Sequence, residues 1–235
     1  MKTCIVNYIT RDAWHPHGQA RLAESLKRVA CKSDVLLFDD GNFSCVHHND
    51  VPYAFKFYVL AEVKKRGYEQ ALWVDSSFWA IKEVDFLFDK IREHKFLVQK
   101  ADCFLGQWTS DICLQRMGID REIALPMLMF SGGFMGFDFT DEATSIFFTD
   151  FLSYAKEGTC FKGSWTNRKK EVSPDIRVHG HRHDMSVGTI LMHKANMSMC
   201  ANNSFFSYYA WYQKYKTEMD LSHVPFLIEG GMREI

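Results

Sequence analysis

Asp75, Ser76 and Ser77 form a polar group directly after a short apolar run, residues 71–74. The run follows a helix-like segment closed by Gly67, and an apolar run this short is typical of a buried strand in an α/β sheet. Open α/β sheets bind ligands at the carboxyl ends of their strands. Carboxylate and hydroxyl oxygens are ligands for Mg²⁺ or Mn²⁺, so the group is a candidate ligand site. The alternative is that these residues only terminate the strand.

A second candidate group consists of His179, His181 and His183, followed by Asp184. In an extended segment the three histidines share one face, an arrangement that can bind zinc. Alternatively, the segment is a polar loop entering a helix, with Asp184 stabilised near the helix N-terminus. Asp184 is also a candidate general base. We favour the last two interpretations, because the spacing lacks the helix-borne ligand pair that zinc sites usually contain. The zinc interpretation predicts a metal-dependent hydrolase that also uses Asp75.

The bulk composition favours a globular protein with one large core. The chain has 235 residues, a formal net charge of −1 and 15% aromatic residues. The near-zero charge argues against a nucleic-acid partner. Seven scattered cysteines without a C-x-x-C pair indicate a reducing compartment. The sequence shows neither a signal peptide nor a membrane span, so we expect a cytoplasmic protein in which the three N-x-S sequons are unused.

Strands and helices alternate in the first half of the sequence. The patterns predict strands at 4–10, 34–38 and 71–74, and helices at 17–29, 52–66 and 84–94. A short strand is predicted at 96–99, and residues 101–118 read as mostly helical. Because the chain opens with a βαβ unit, we expect a parallel, right-handed crossover.

The second half predicts two strand pieces within 125–139, pinched at Ser131-Gly132-Gly133. A glycine pair inside an apolar run marks a place where the backbone approaches another group closely. A helix is predicted from Asp141 to Glu157, ended by Gly158, and residues 159–175 read as a loop. The next helix is expected to begin at Asp184 or Ser186. The aromatic segment 204–215 reads as irregular.

Several segments together resemble GT-A-type glycosyltransferases, which use nucleotide sugars. The resemblance covers most of the chain from Pro52 to about Met199, and it rests on the order and spacing of LWVDSSFWAIKEVDFLFDKI (72–91), FLGQWTSDICLQRMGI (104–119), LMFSGGFMGFDF (128–139), FKGSW (161–165) and GHRHDMSV (180–187). It implies one GT-A-like α/β domain over residues 1–235, with a mostly parallel central sheet flanked by helices.

The resemblance also implies an activity. The expected reaction moves a hexose or pentose, with inversion, from a UDP-, GDP- or dTDP-sugar to a hydroxyl of a glycan or another acceptor. A nucleotide-sugar-binding protein without activity is the alternative, because Ser77 stands where the family's Asp-x-Asp motif has its second aspartate. For the same reason, dependence on Mn²⁺ or Mg²⁺ is left open.

Site residues follow from the resemblance and from the local patterns. Asp184 is the expected catalytic base. The metal would be held by Asp75, Ser77 and His183. Acceptor contacts are expected from Trp108, Asp111 and Trp165. The residues expected to bind the nucleotide sugar are Thr10, Arg11, Asp39, Lys56, Asp75, Ser76, Ser131, Gly132 and Gly133.

Overall fold

A five-stranded sheet of order β2-β1-β3-β8-β5 forms the centre of the molecule. The computed structural model describes residues 1–215, 217–218 and 220–229. In chain order the strands are β1 (Thr3–Ile9), β2 (Asp34–Asp39), β3 (Gln70–Val74), β4 (Phe78–Ala80), β5 (Phe96–Leu97), β6 (Lys100–Phe104), β7 (Leu128–Phe130), β8 (Phe134–Asp138), β9 (Phe206–Tyr208) and β10 (Phe226–Ile228).

The directions of these strands confirm the predicted α/β fold with a mostly parallel central sheet. β1 pairs in parallel with β2 and β3, whereas β8 runs antiparallel to β3 and β5, so β8 alone is reversed. All five residues of β3 are buried, as expected for an apolar strand covered on both faces. Because β1 and β3 run in the same direction, Thr10 and Asp75 lie at the same edge of the sheet.

Helices cover both faces of this sheet. They are α1 (His15–Arg28), α2 (Phe55–Lys65), α3 (Phe86–His94), α4 (Asp111–Arg116), α5 (Arg121–Ala124), α6 (Glu142–Glu157), α7 (His183–Lys194) and α8 (Tyr209–Tyr215). Buried side chains of α2, α6 and α7 belong to one apolar cluster, and those of α1 and α3 belong to another. None of the helices within the described ranges is long and apolar enough to cross a membrane.

Local signals at α6 act as predicted. The side chain of Asp141 accepts a hydrogen bond from the Thr144 amide and so caps the first turn. Gly158 ends the helix with a left-handed backbone conformation, φ 83°, which glycine adopts without steric penalty. The strand pieces on either side of Ser131-Gly132-Gly133 are also present, as β7 and β8.

A small sheet of order β4-β10-β9 closes the end of the molecule next to Ser77. β10 pairs with β4 over Phe78 to Ala80, immediately after Ser77. The guanidinium of Arg21 donates to the carbonyl oxygens of Ser77, at 3.0 Å, and Glu229, at 3.2 Å. The residues that follow Asp75 are thus held by a segment from the far end of the chain.

Two predictions of secondary structure were wrong. Residues 101–118 begin with β6, which pairs with β7, and only Asp111–Arg116 form an α-helix. Residues 204–215 are not irregular, since they contain β9 and α8. In both cases the strand is stabilised by pairing with a distant segment, which local sequence patterns do not reveal. The predicted single domain over residues 1–235 includes positions outside the described ranges and stays a prediction.

Candidate active site

A cleft of about 270 Å³ opens where β1 and β3 end. Five of the predicted nucleotide-sugar or metal residues line it, namely Thr10, Lys56, Asp75, Ser76 and Ser77. Aromatic residues line it as well, among them Tyr8, Trp14, Tyr53 and Phe55. Flat apolar faces beside a few converging polar groups are typical of a small-molecule site, here one suited to a ligand with a flat ring and a polar tail.

Lys56 lies at the inner end of this cleft, between two carboxylates. Its side chain is only 2% exposed, and its Nζ lies 3.2 Å from Asp75 Oδ1 and 3.0 Å from Asp184 Oδ2. The ammonium also donates to the carbonyl oxygen of Gly132 at 2.7 Å. Burial alone lowers the pKa of Lys56, but the carboxylates of Asp184 and Asp75 outweigh burial and raise that pKa above its ordinary value. We call Lys56, Asp75 and Asp184 the charged cluster.

The position of Lys56 on α2 explains its burial. The buried positions of this helix are 56, 57, 59, 60 and 63, so Lys56 belongs to the stripe that faces the core. A lysine in such a stripe is rarely tolerated without an anionic partner. The sequence contains this signal, but the prediction for Lys56 was contact with the nucleotide sugar, without a carboxylate partner.

Asp75 is the open member of the charged cluster, because 31% of its side chain is exposed. The indole Nε1 of Trp73 donates to Asp75 Oδ1 at 2.7 Å, and the Asp75 amide donates to the Gly133 carbonyl oxygen at 2.9 Å. These contacts fix the orientation of the carboxylate and leave part of it facing the cleft.

Gly132 and Gly133 allow β8 to begin against the two carboxylates. A Cβ atom on Gly132 would lie 2.6 Å from Asp184 Oδ2, and one on Gly133 would lie 2.9 Å from the Phe78 ring and 3.2 Å from Asp75 Oδ2. Both glycines are among the residues predicted to bind the nucleotide sugar, and that role stays a prediction. Carboxylates of the charged cluster lie against both positions, so neither accepts a side chain. Ser131 precedes the glycines and is anchored by its amide, which donates to the Gln99 carbonyl oxygen.

Asp184 lies in the first turn of α7, where the helix dipole stabilises a carboxylate. Its side chain is 5% exposed. The preceding residue, His183, has a left-handed backbone conformation with φ 44°. Such a conformation is uncommon for residues other than glycine and is often found at functional sites. This conformation lies at the start of α7, directly before Asp184, whose carboxylate contacts Lys56.

The three histidines do not converge on a shared metal site. His181 is fully buried, with its Nδ1 accepting from the Ser110 amide at 3.2 Å and its Nε2 donating to the Cys160 carbonyl oxygen at 2.9 Å. Burial lowers the pKa of His181 to about 3, so the ring is neutral. His183 Nδ1 bonds the Phe161 carbonyl oxygen, whereas His179 is exposed beside Trp108. The zinc-hydrolase interpretation is therefore not favoured.

The predicted metal set of Asp75, Ser77 and His183 does not fit a divalent ion held by the protein alone. Within the described ranges, no group of three or more His, Cys, Asp or Glu side chains is placed to hold a metal. At the end of β3 the single carboxylate, Asp75, already contacts the Lys56 ammonium and the Trp73 indole. We therefore derive no reaction step through a metal.

A row of flat side chains leads away from the cleft. Tyr53 contacts His183 at 5.3 Å between ring centroids, and His183 stacks on Trp165 at 5.7 Å. The Arg182 guanidinium lies 3.8 Å from the Trp165 ring and 3.6 Å from the Trp108 ring. We call these five residues the aromatic wall. It unites two of the predicted acceptor residues, Trp108 and Trp165, and its exposed member is Trp165, at 49%.

Arg182 and Tyr53 were absent from the predicted site. Arg182 is held in place by a hydrogen bond from Nη1 to the Trp165 carbonyl oxygen at 2.8 Å. The two rings that Arg182 contacts, Trp108 and Trp165, come from segments more than ten residues away, so local spacing carried no signal for the stack. For Tyr53, the only indication in the sequence was its position near the start of the predicted helix that contains Lys56.

Three predicted residues lie away from the charged cluster. Arg11 forms an ion pair with Asp39 at 2.9 Å, and neither residue lines the cleft. Asp39 also accepts from the amides of its own turn. The carboxylate of Asp111 pairs with Arg121 at the start of α4. Each of these contacts satisfies charge locally, so the nucleotide-sugar and acceptor roles of the three residues stay predictions.

Comparison with solved structures relates this architecture to known proteins. The chain superimposes on apo WbbM, a bifunctional glycosyltransferase, with a TM-score of 0.58 and 12% identity, covering 99% of this chain and 46% of that one. Mouse xyloside xylosyltransferase 1 matches with a TM-score of 0.56 and 11% identity, over 98% of both chains. A glycosyltransferase involved in glycosylation of the major capsid of PBCV-1 matches with a TM-score of 0.55 and 9% identity, over 99% of this chain and 95% of that one.

The chain has the fold of GT-A-type glycosyltransferases. It spans less than half of the bifunctional protein but nearly the whole of the other two. No family model matches the sequence, and no curated protein does. At these identities the similarity concerns the fold, and the resemblance inferred from the sequence motifs agrees with it.

Proposed function

We propose that the protein is a glycosyltransferase that moves a sugar from a nucleoside-diphosphate sugar to an acceptor hydroxyl. The observation that carries this proposal is the meeting of two surfaces at the charged cluster. The cleft reaches Asp75 from one side, and the aromatic wall begins at Tyr53, which also lines the cleft. A donor and an acceptor bound on these two surfaces would meet beside Asp75 and Asp184.

In this proposal the cleft holds the nucleotide. Tyr8, Tyr53 and Phe55 offer aromatic faces to the base, and the open carboxylate of Asp75 accepts hydrogen bonds from ribose or sugar hydroxyls. Thr10, Ser76 and Ser77 offer backbone and hydroxyl donors near the diphosphate. The identity of the base, among uracil, guanine and thymine, is left to experiment.

The proposed chemical step is a single displacement. Asp184 takes the proton of the acceptor hydroxyl while that oxygen forms a bond to the anomeric carbon. The bond from the anomeric carbon to the diphosphate oxygen breaks, and the nucleoside diphosphate leaves with the electron pair. One displacement inverts the anomeric configuration, so the proposal includes an inverting transferase for hexoses or pentoses. Lys56 balances the two carboxylates and keeps Asp184 in position.

The burial of Asp184 favours a second role for this residue. With 5% exposure and a 3.0 Å contact to Lys56, it is placed to act as the fixed counter-ion of the ammonium. In that case Asp184 is a positioning residue, and Asp75 is the carboxylate that touches substrate. The two roles predict different results for Asp184→Asn, which are set out in the Discussion.

Binding of nucleotide sugars tests the proposal. We expect a UDP-, GDP- or dTDP-sugar to raise the melting temperature of the protein, since a ligand of the folded state stabilises it by mass action. The screen is run with and without Mn²⁺, and bound sugars are then offered to hydroxyl acceptors. If none of the three nucleotide classes shifts the melting temperature, the proposal is wrong. A shift without turnover on any acceptor would favour the non-catalytic binding protein.

A further inference from the structure

A second cavity, of about 620 Å³, lies outside the cleft and shares no lining residue with it. Its walls come from β6, from the turn before β9, and from β9 and α8. The lining residues used below are Asp102, Asn202, Ser207, Tyr208, Trp211 and Tyr215.

Ser207 lines this cavity and has an unsatisfied hydroxyl group. The residue is 1% exposed and lines the cavity, yet its Oγ has no hydrogen-bond partner among the described residues. A buried hydroxyl without a partner destabilises the fold, and such groups in native proteins call for an explanation. The hydroxyl is covered by protein in this structure, so a ligand in the cavity would provide the missing partner once the Ser207 side chain rotates towards it.

Asp102 and Asn202, which also line the cavity, form a fixed set of oxygen acceptors. The Asn202 amide donates to both carboxylate oxygens of Asp102, at 2.8 and 2.9 Å. Asn202 Oδ1 in turn accepts from the Asn203 amide at 2.9 Å. These bonds hold the exposed Asp102 carboxylate in one orientation, with lone pairs left for ligand hydroxyl groups.

The remaining wall is aromatic. Tyr208 is 62% exposed, and the rings of Trp211 and Tyr215 lie 5.0 Å apart between centroids. Among the described residues that line the cavity, Lys214 is the only basic one. Several basic groups would be expected for a nucleic acid or a polyphosphate. Flat apolar faces together with oriented oxygen acceptors instead match a sugar ring, which has apolar C–H faces and a rim of hydroxyl groups.

The chain connects this cavity with the aromatic wall. Asp102 lies on β6, and Trp108 follows after the single turn Leu105–Gln107. One short segment of the chain thus joins Asp102 in the cavity to Trp108 in the wall, and the cavity shares no lining residue with the cleft.

We propose that this cavity is a second carbohydrate-binding site, which holds a remote part of an extended glycan acceptor. The acceptor role of this site rests on the proposed function, whereas carbohydrate binding is argued from the cavity alone. A monosaccharide acceptor would contact the aromatic wall only. An oligosaccharide would reach from the wall into the cavity.

A panel of immobilised neutral oligosaccharides built from glucose, galactose, mannose and N-acetylglucosamine tests this inference. We expect the wild-type protein to bind at least one of them, and Trp211→Ala to bind it about tenfold less tightly. Ser207→Ala removes only the unpartnered hydroxyl. It is expected to weaken binding about three- to tenfold while the melting temperature stays the same or rises. Tyr212→Ala, on the same helix but not lining the cavity, is the matched control.

The outcomes separate this inference from the proposed function. If no oligosaccharide of the panel binds, or if binding is the same in wild type, Trp211→Ala and Ser207→Ala, the inference is wrong. Nucleotide sugars are measured on the same preparations by thermal shift. Oligosaccharide binding that depends on Trp211 and Ser207, without any nucleotide-sugar binding, would retain the second site and overturn the glycosyltransferase.

Discussion

The charged cluster and the three histidines both contain residues that the sequence marked as candidates for chemistry. In the structure they differ in what remains available to a ligand. Both ring nitrogens of His181 are bonded to the backbone, and the Nδ1 of His183 is bonded to a carbonyl oxygen. Asp75 instead keeps 31% of its side chain exposed to the cleft.

The comparison shows how a structural polar group differs from a functional one. His181 ties the segment before α7 to Ser110 and Cys160 and uses both ring nitrogens in doing so, whereas His183 uses one nitrogen to bond Phe161. The charged cluster brings two carboxylates to one ammonium, so it carries excess negative charge at the inner end of a cleft. Buried polar groups are satisfied within the protein unless function requires otherwise.

The largest effect is expected at Asp184. As a general base it contributes a factor of roughly 10²–10⁴ to the rate, so Asp184→Asn should lower transfer by that amount. Lys56 keeps Asp75 and Gly132 as partners, so donor affinity should stay within about threefold, which is under about 0.7 kcal/mol. Transfer kinetics and donor calorimetry on one preparation measure both quantities. Transfer near the wild-type rate would refute the base role, and a parallel loss of donor affinity would assign Asp184 to holding Lys56.

Removing the ammonium tests whether the cluster depends on it. Lys56→Met leaves Asp184 buried without its cation, and breaking a buried pair in this way lowers the free energy of unfolding by about 3–5 kcal/mol. Lys65→Met, an exposed change on the same helix, should alter it by no more than about 0.5 kcal/mol. Urea denaturation measures both. Adding Asp184→Asn to Lys56→Met should restore part of the loss, and equal stability of the two lysine variants would remove Lys56 from the cluster.

His181 should contribute measurably to the pH dependence of the free energy of unfolding. His181 has a pKa of about 3 in the folded protein and about 6.5 when unfolded, so between these values only the unfolded chain binds the proton. The stabilisation is complete above pH 6.5 and is lost as the pH falls towards 3. From pH 7 to pH 5 this group lowers the free energy of unfolding by about 2 kcal/mol.

His181→Gln provides the comparison for this effect. Glutamine does not titrate but still offers a donor and an acceptor for the two backbone bonds. Urea midpoints at pH 7 and pH 5 should therefore change less in His181→Gln than in wild type, with His179→Gln as the exposed control. An identical pH dependence in wild type and His181→Gln would show that the ring is not buried in its neutral form.

Asp75→Asn should weaken binding of the nucleotide sugar without destabilising the fold. A hydrogen bond to a charged group contributes about 1.5–3 kcal/mol, so nucleotide-sugar affinity should fall roughly tenfold or more. The unfolding free energy should change little, because Asp75 is partly exposed and Lys56 retains Asp184. Calorimetry with the nucleotide sugar found in the thermal screen measures the change, with Asp89→Asn on α3 as control. Unchanged affinity in a folded variant would remove Asp75 from the donor site.

The smallest effect concerns metal ions. Free wild-type protein is expected to bind Mn²⁺ weakly, and appreciably only together with a nucleoside diphosphate whose oxygens complete the coordination shell. Ser77→Asp adds a second carboxylate and should tighten Mn²⁺ binding by about two- to fivefold. Stoichiometric zinc that survives dialysis of the wild-type protein would contradict this expectation and indicate that the histidines bind a metal.

The sequence predicted those parts of the site that depend on local patterns. Asp75 was found because an apolar run that stops on polar residues marks the end of a buried strand, and Asp184 because it begins a helix. The connection of the two aspartates through Lys56 was not predicted, because Lys56 reaches both from a third segment. The stacking of Arg182 between Trp108 and Trp165 was missed for the same reason. β6 and β9 depend on strands far along the chain, so their own residues gave no sufficient signal.

The pairing of β4 with β10 has a consequence for the order of events during synthesis. Roughly 150 residues separate the two strands, and at about 5–20 residues per second the ribosome needs roughly 7 to 30 seconds to make them. During that interval the nascent chain already contains Asp75, but the backbone groups beside Ser77 lack the partners that β10 and Glu229 later provide. We therefore expect the cleft to be among the last parts of the protein to take its final shape, after translation of its other walls is complete.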